Sequence, residues 1–319
     1  MLSFALKRLA IAAPTLFIIV SLSFFLMHTA PGGPFDAEAN LEPQIIANLK
    51  AAYDLDKPLF QQYLIYLGKV AQGEFGPSIR YQDRSVTQLI ATGLPVSLRI
   101  GLSAIFIAAM IGISLGITAA LNQNKTTDYV VMGVAMTGIA VPSFVLAPLM
   151  TLIFGVILKL LPIATLEPGG SLARTWPAIA PLTPYILPII ALAIPQVAII
   201  SRLTRGAMIE VLRQNYIRTA RAKGLAERRV VWRHALQAGL LPVVSYLGPA
   251  IAGIVTGAVV VETIFQLPGM GRFFVQGAIN RDYPLVLGIV IIFATAVIAM
   301  NLIVDLLYGV LDPKVKAGD

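Results

Sequence analysis

The sequence predicts an all-α integral membrane protein with six transmembrane helices and a small helical cap after the first of them. Composition carries the first part of that expectation. Of 319 residues, 57% are hydrophobic and only 13% are charged, about half the charged share of a soluble domain. Mean hydropathy is +0.81. The second observation is a set of stretches free of Asp, Glu, Lys and Arg: 9–35, 100–124, 129–158, 175–201, 235–261 and 283–304. Each can cross a hydrocarbon layer of about 30 Å, which takes roughly 20 helical residues. Each has to be helical, because lipid offers no partner to an unpaired backbone group.

The first segment, 1–30, sets Lys7 and Arg8 before an apolar run from Leu9 to Met27. The pattern is that of a secretory signal, but the run exceeds a signal core of about 7–15 residues, and His28-Thr29-Ala30 offers no small-x-small cleavage site. It reads as an uncleaved first span.

Segment 31–99 is long enough for a cap and opens on the turn signal Pro31-Gly32-Gly33-Pro34. Ile45, Ile46, Leu49 and Tyr53 predict an amphipathic helix over 43–53. Asp56 as cap and Pro58 near the first turn predict a second helix, with Leu59, Tyr63, Tyr66, Leu67 and Val70 on its apolar side. Gly73, Gly76 and Pro77 end it. Such a cap suits either docking or cover for the spans.

The core, 100–310, holds the other five helices. Gly112 and Gly116, and likewise Gly253 and Gly257, stand four residues apart, a spacing that suits close helix–helix contact. Five prolines crowd the fourth stretch, so its helix is placed at Pro184–Ser201, where a proline costs least at the start. In the last helix, Asn301 and Asp305 lie one turn apart. They read as a structural hydrogen-bond clasp, since no second intramembrane acid is at hand to receive a proton. The tail is 311–319.

Lysine and arginine in short loops set orientation. Between Arg202 and Arg233, nine basic residues face only Glu210 and Glu227. With six spans, this segment falls on the same side as Lys7, Arg8, Lys314 and Lys316. That side is the cytoplasm, so both termini are expected inside and the cap outside. The segment 202–240 also predicts a helix over Glu210–Lys223, a break at Gly224, and a second helix over Ala226–Gln237 with Val231, Ala235 and Leu236 on one side. Topology signalling explains the charge but not two helices around a glycine. The unit therefore reads as an element offered to a partner. It is tethered to the bilayer at both ends, which argues against nucleic acid.

Chemistry is largely excluded. Without cysteine, thiol catalysis, thiolate metal sites and disulfides are ruled out, and His28 and His234 are the only histidines. There is no phosphate loop, since Gly68-Lys69 is followed by Val70, and no H-E-x-x-H. Gly112-Ile113-Ser114-Leu115-Gly116 fits G-x-S-x-G but lies within a span, not in the strand–turn–helix setting that motif needs. No catalytic residue and no metal site are assigned, and the chain is not expected to be an enzyme. A secondary transporter or channel would need more intramembrane charge or an internal repeat.

Against that background, the stretch Tyr216-Ile217-Arg218-Thr219-Ala220-Arg221-Ala222-Lys223-Gly224-Leu225, followed by His234-Ala235-Leu236 and Leu240-Leu241-Pro242, closely resembles the signature loop of peptide-type ABC importer permeases. Other blocks agree: Leu55-Asp56-Lys57-Pro58-Leu59, Val141-Pro142-Ser143-Phe144, Leu267-Pro268-Gly269-Met270-Gly271, Asn280-Arg281-Asp282-Tyr283-Pro284 and Asp305-Leu306-Leu307-Tyr308. The resemblance runs through nearly the whole chain. Arg218-Thr219-Ala220 stands where the general importer signature has E-A-A, and His234 where it has Ile; the peptide branch shares both departures. Ala135-Met136-Thr137-Gly138 and Ser201-Arg202-Leu203-Thr204-Arg205-Gly206 look most like the B-type oligopeptide branch.

The resemblance implies a type I ABC importer permease of the bacterial inner membrane, taking up oligopeptides by alternating access. Permeases of this architecture for dipeptides, nickel chelates or another small peptide-like solute are the alternative. Its implied partners are a second, C-type permease, two cytoplasmic ATPase subunits that bind ATP and Mg, and a periplasmic or lipid-anchored peptide-binding protein. Arg218, Thr219, Ala220, Arg221, Ala222, Lys223, Gly224 and Leu225 would contact an ATPase. Pro268, Gly269, Gly271, Arg281 and Asp282, with the cap, would face the binding protein. Substrate-lining residues stay unassigned.

Overall fold

A computed structural model describes residues 2–29, 32–35, 43–81, 83–163 and 167–311, with the side chains of 2–7, 9, 43, 255–257 and 305–311 outside that description. Among the described residues, five helical stretches are long and apolar enough to cross a membrane: Ala10–Thr29, Val86–Leu121, Pro177–Leu212, Leu241–Ile264 and Tyr283–Val304. A pair of helices bent by 98°, Thr126–Ala140 and Ser143–Ile157, makes a sixth span if counted as one.

The first span is α1 (Leu2–Thr29). The cap follows with α2 (Pro43–Ala52) and α3 (Leu59–Ala71), close to the expected helices. Pro58, not Asp56, occupies the position before α3 and supplies no side-chain cap. Helix α3 does not stand clear of the bundle. Tyr63, Tyr66 and Leu67 pack on Phe24 and Met27 of α1 and on Leu287, and the Tyr63 hydroxyl meets Ser21 Oγ at 2.5 Å.

Helix α4 (Val86–Leu121) begins fourteen residues before the charge-free stretch. Ser85 and Gln88 form a capping box, each accepting the other's backbone N–H. Residues 86–99 therefore belong to a long helix, not to the cap. The third charge-free stretch is likewise not one straight helix. It is α5 (Thr126–Ala140) and α6 (Ser143–Met150), the latter continued by a π-helical turn over Thr151–Ile157. The bend falls at Val141-Pro142, where the residue before proline is held extended. A short α7 (Gly170–Thr175) and a 3-10 turn, Pro177–Leu182, lead into α8 (Thr183–Leu212). This helix runs well past Ser201, so Arg202 and Arg205 are helical and not loop residues.

The signature loop folds as α9 (Asn215–Ala222), α10 (Glu227–Arg229), a π-helical turn over Val230–Ala235 and α11 (Leu236–Gly239). The chain ends with α12 (Leu241–Gly257), α13 (Val259–Ile264), α14 (Met270–Ile279) and α15 (Tyr283–Leu311). Asn301 lies against Gly248 of α12. Asp305 is on α15, but its side chain falls outside the described residues.

Helix α8 is central because two neighbours approach its backbone at glycines. A Cβ on Gly112 would lie 2.9 Å from Ile200, one on Gly116 would lie 2.5 Å from Thr204 and 2.7 Å from the Ser201 carbonyl, and one on Gly138 of α5 would lie 2.8 Å from the Ile194 carbonyl. Gly253 differs: among the described residues nothing stands within 4 Å of an added Cβ, and Gly257 falls among the side chains not described. A Cβ at Gly116 would overpack the α4–α8 contact, at a cost of about 1–3 kcal/mol. Gly116→Ala is expected to lower the thermal midpoint of the detergent-purified protein, while Gly133→Ala, which enters open space, leaves it unchanged.

Candidate functional site

The expected partner-facing unit is a helix–turn–helix closed by a Schellman motif. Gly224 takes φ +77, a conformation glycine adopts without the Cβ penalty. The N–H of Leu225 reaches back to the Ala220 carbonyl at 3.4 Å, and that of Gly224 to the Arg221 carbonyl at 2.9 Å. Across the turn, Arg221 binds Glu227 through two bonds of 3.0 and 2.6 Å. The guanidinium holds the Glu227 carboxyl below the usual carboxylate range.

Beneath the turn, the unit is fused to the bundle. Ile217 and Ala220 of α9, with Val230, Val231 and Ala235, are buried against Ile117 and Ala120 of α4 and Met208 of α8. Outward, Arg218, Thr219, Arg221, Ala222, Lys223 and Gly224 are exposed, and Leu225 is half-buried. Ala220 is the exception among the eight signature residues: it is 6% exposed and packs inward. Its methyl serves the hydrophobic joint, not an outer surface.

Next to this joint, Asp128 at the start of α5 accepts Arg205 Nε and Nη2, each at 2.6 Å. Asp128 is 1% exposed and also accepts the Asn124 N–H. This fork geometry suits guanidinium and carboxylate. One of the nine basic residues between 202 and 233 thus serves as an internal brace.

At the α13–α14 turn the structure brings together a second constellation. Glu262 is fully buried. Its carboxylate accepts the Ser97 hydroxyl at 2.6 Å and the N–H groups of Gly271 and Arg272 at 2.8 and 3.3 Å. Ser97 in turn accepts the Met270 N–H at 2.9 Å. Gly269 is required here, since a Cβ would stand 2.3 Å from the Glu262 carboxyl; one on Gly271 would stand 2.5 Å from Val259 Cα.

Asp282 is the third buried carboxylate. Ser78 Oγ and the Arg80 N–H donate to its Oδ2, and the Leu285 N–H to its Oδ1 at 3.2 Å, so it caps α15 and ties down the end of the cap. Arg281 and Tyr283 hold the carbonyls of Gly33 and Gly32 at 3.3 and 3.0 Å. Gly269, Gly271 and Asp282, expected to face a partner, are buried within the chain. Pro268 and Arg281 keep partial exposure. Sequence reading missed Glu262 altogether, because it stands at the edge of an apolar stretch and its partner Ser97 lies 165 residues away. Among the described residues, no cluster of His, Asp or Glu is placed to hold a metal ion.

Residues 112–317 match the family described as binding-protein-dependent transport system inner membrane component. Residues 1–98 match the N-terminal family of the same transport-system membrane components. The chain belongs to this permease family. It is 52% identical over 316 residues to the oligopeptide transport system permease protein OppB of Escherichia coli (strain K12), covering 99% of this chain and 100% of that protein. It is 43% identical to the dipeptide transport system permease protein DppB of Bacillus subtilis (strain 168), covering 99% and 98%. The solved inward-facing structure of the MetNI methionine ABC transporter matches with a TM-score of 0.58 at 15% identity, over 70% of this chain and 97% of that one. That likeness places the fold among ABC transporter membrane subunits. The chain is a multi-pass membrane permease of this family.

The Glu262 cluster generates a stability test. Replacing Glu262 by Leu strands three donors, two of them buried, each buried one costing about 1–3 kcal/mol. Glu262→Leu is expected to reduce folded protein recovered from membranes sharply, and Glu262→Gln, which keeps one acceptor oxygen, to reduce it less. Equal recovery of both variants and the parent would contradict the clasp.

Proposed function

We propose that this chain is the B-type permease subunit of an ATP-driven importer that takes up oligopeptides by alternating access. The observation that carries the reading is the α9–Gly224–α10 unit: exposed and basic outside, packed inside on the ends of α4 and α8. The strong, full-length likeness to oligopeptide permeases supports the substrate class. The likeness to a dipeptide permease keeps a shorter peptide as the second reading.

Under this proposal the unit is the coupling element. Arg218, Thr219, Arg221, Ala222, Lys223, Gly224 and Leu225 meet a cytoplasmic ATPase subunit, one of two that bind ATP and Mg, and Ala220 supports them from beneath. Both termini lie in the cytoplasm, and the cap lies on the outer face toward a peptide-binding protein. A second, C-type permease completes the path. Peptides are polar, so passage across hydrocarbon requires a cavity that meets their amides and charged ends. Closure of the ATPase pair moves the coupling unit, and α4 and α8 move with it as one body.

A β-branched residue at Gly224 is strained at its φ by roughly 1–2 kcal/mol and distorts the docking turn. Gly224→Val is expected to abolish peptide uptake by the assembled transporter while the chain still inserts. Gly224→Asn, which tolerates the left-handed region, keeps most of it. Normal uptake and normal coupling to ATP hydrolysis in Gly224→Val would sink the proposal.

A further inference from the structure

One polar feature within the spans belongs neither to the coupling unit nor to the buried carboxylates. Tyr246 of α12 donates its hydroxyl to Gln196 Oε1 of α8 at 2.5 Å. Around this pair, Ser143, Ala191, Pro195, Pro249 and Gly253 line a groove of about 390 Å³ between α6, α8 and α12. Gln196 and Tyr246 are half-buried, whereas Pro249 and Gly253 are exposed.

The chemistry of the groove is specific. An amide side chain has two donors and an acceptor with two lone pairs. Whichever way the Gln196 amide is turned, the Tyr246 hydroxyl engages one end and leaves the other without a partner among the described residues. Pro195 has no N–H to offer the Ala191 carbonyl four residues earlier. Gly253 leaves open space at the groove's edge. No charged residue lines it.

A half-exposed amide aimed into hydrocarbon is costly, so polar side chains within spans face a bundle interior or a water-filled path. A neighbouring helix satisfies its own N–H and C=O groups internally and offers little to such an amide. An extended peptide carries unsatisfied N–H and C=O groups at every residue. Uncharged, amide-bearing walls meet that backbone without selecting side chains.

We infer that this groove is where the passing peptide's backbone touches this chain, with Gln196 as the hydrogen-bonding group and Tyr246 as the residue that orients its amide. The inference rests on the transport reading above and adds residues to it.

Because the chain has no cysteine, Gly253→Cys adds a single thiol to it. The assembled transporter, with its other subunits free of reactive cysteine, is treated with a membrane-impermeant maleimide in membranes opened to both sides. Cys at position 253 is expected to react, as does a Glu74→Cys control on the exposed cap, and to react several-fold more slowly during turnover with trialanine. Gln196→Leu is expected to lower maximal trialanine uptake about tenfold, the effect of one hydrogen bond lost in a low-dielectric path. Subunit assembly and the uptake KM, set where peptide is first captured, stay unchanged. An inert thiol at 253 beside a reactive one at Glu74→Cys places a helix or lipid on the groove and overturns the assignment. So does full uptake by Gln196→Leu. If the unmodified transporter takes up no trialanine or longer peptide, the transport reading itself fails, which separates the two failures.

Discussion

The close contact between α4 and α8 at Gly112 and Gly116 is the constraint from which the rest of the architecture follows. Between helices in lipid there is little hydrophobic force, and association depends on close packing and on polar contacts. Removing two Cβ atoms lets α4 settle against Ile200, Ser201 and Thr204. Gly138 does the same for α5 at Ile194, and Asp128 reaches Arg205 one turn beyond Ser201. Helices α4 and α5 are thereby both locked onto one stretch of α8. The α9–Gly224–α10 unit rests on the next turns of α4 and α8, through Ile117, Ala120 and Met208.

The buried carboxylates show how a chain with so little charge uses the acids it has. Moving a carboxylate out of water costs several kcal/mol unless donors replace the lost solvent. Asp128, Glu262 and Asp282 each gather at least three donors, and each joins segments far apart in sequence. Glu262 closes α13 and α14 onto α4. Asp282 secures the end of the cap to the start of α15. They are therefore staples of the fold, which explains why residues beside them in the sequence motifs, such as Gly269 and Gly271, are glycines fitted to interior backbone.

What the sequence disclosed was local, and what it concealed was pairing. The spans were legible because lipid demands long apolar helices, and the turn at Gly224 because glycine between two amphipathic segments has a definite conformational meaning. The second cap helix was legible from its apolar face, which packs as Tyr63 and Leu67 foretell. Charge-free length failed as a boundary in α4, since Ser85 and Gln88 start that helix from a polar segment. It failed again in the third stretch, where Val141-Pro142 turns the chain by 98° without any charged residue to announce it. Two glycine pairs with identical spacing had different fates. Gly112 and Gly116 fit closely against α8, whereas a Cβ added at Gly253 would enter open space among the described residues, because spacing reports what a helix can accept and not what lies opposite. Glu262 was hidden for the same reason: its environment is made by Ser97.

The α9–Gly224–α10 unit is attached to the bundle as one rigid piece. Helix α8 runs from Thr183 to Leu212 without interruption, about 45 Å at the rise of an α-helix. Only Arg213 and Gln214 separate it from α9. A hinge at those two residues would have to pull Ile217, Ala220, Val230 and Val231 off the ends of α4 and α8, at about 25 cal/mol for each Å² of apolar surface exposed. It would do so while α4 remains fixed to α8 at its glycines. Displacing the unit, α8 and α4 together breaks none of these contacts. Between α8 and α12 the contact is of another kind: a mainly apolar groove in which Tyr246 reaches across to Gln196. Under the proposed function, motion that enters at Gly224 is carried along α8 to the groove at Gln196.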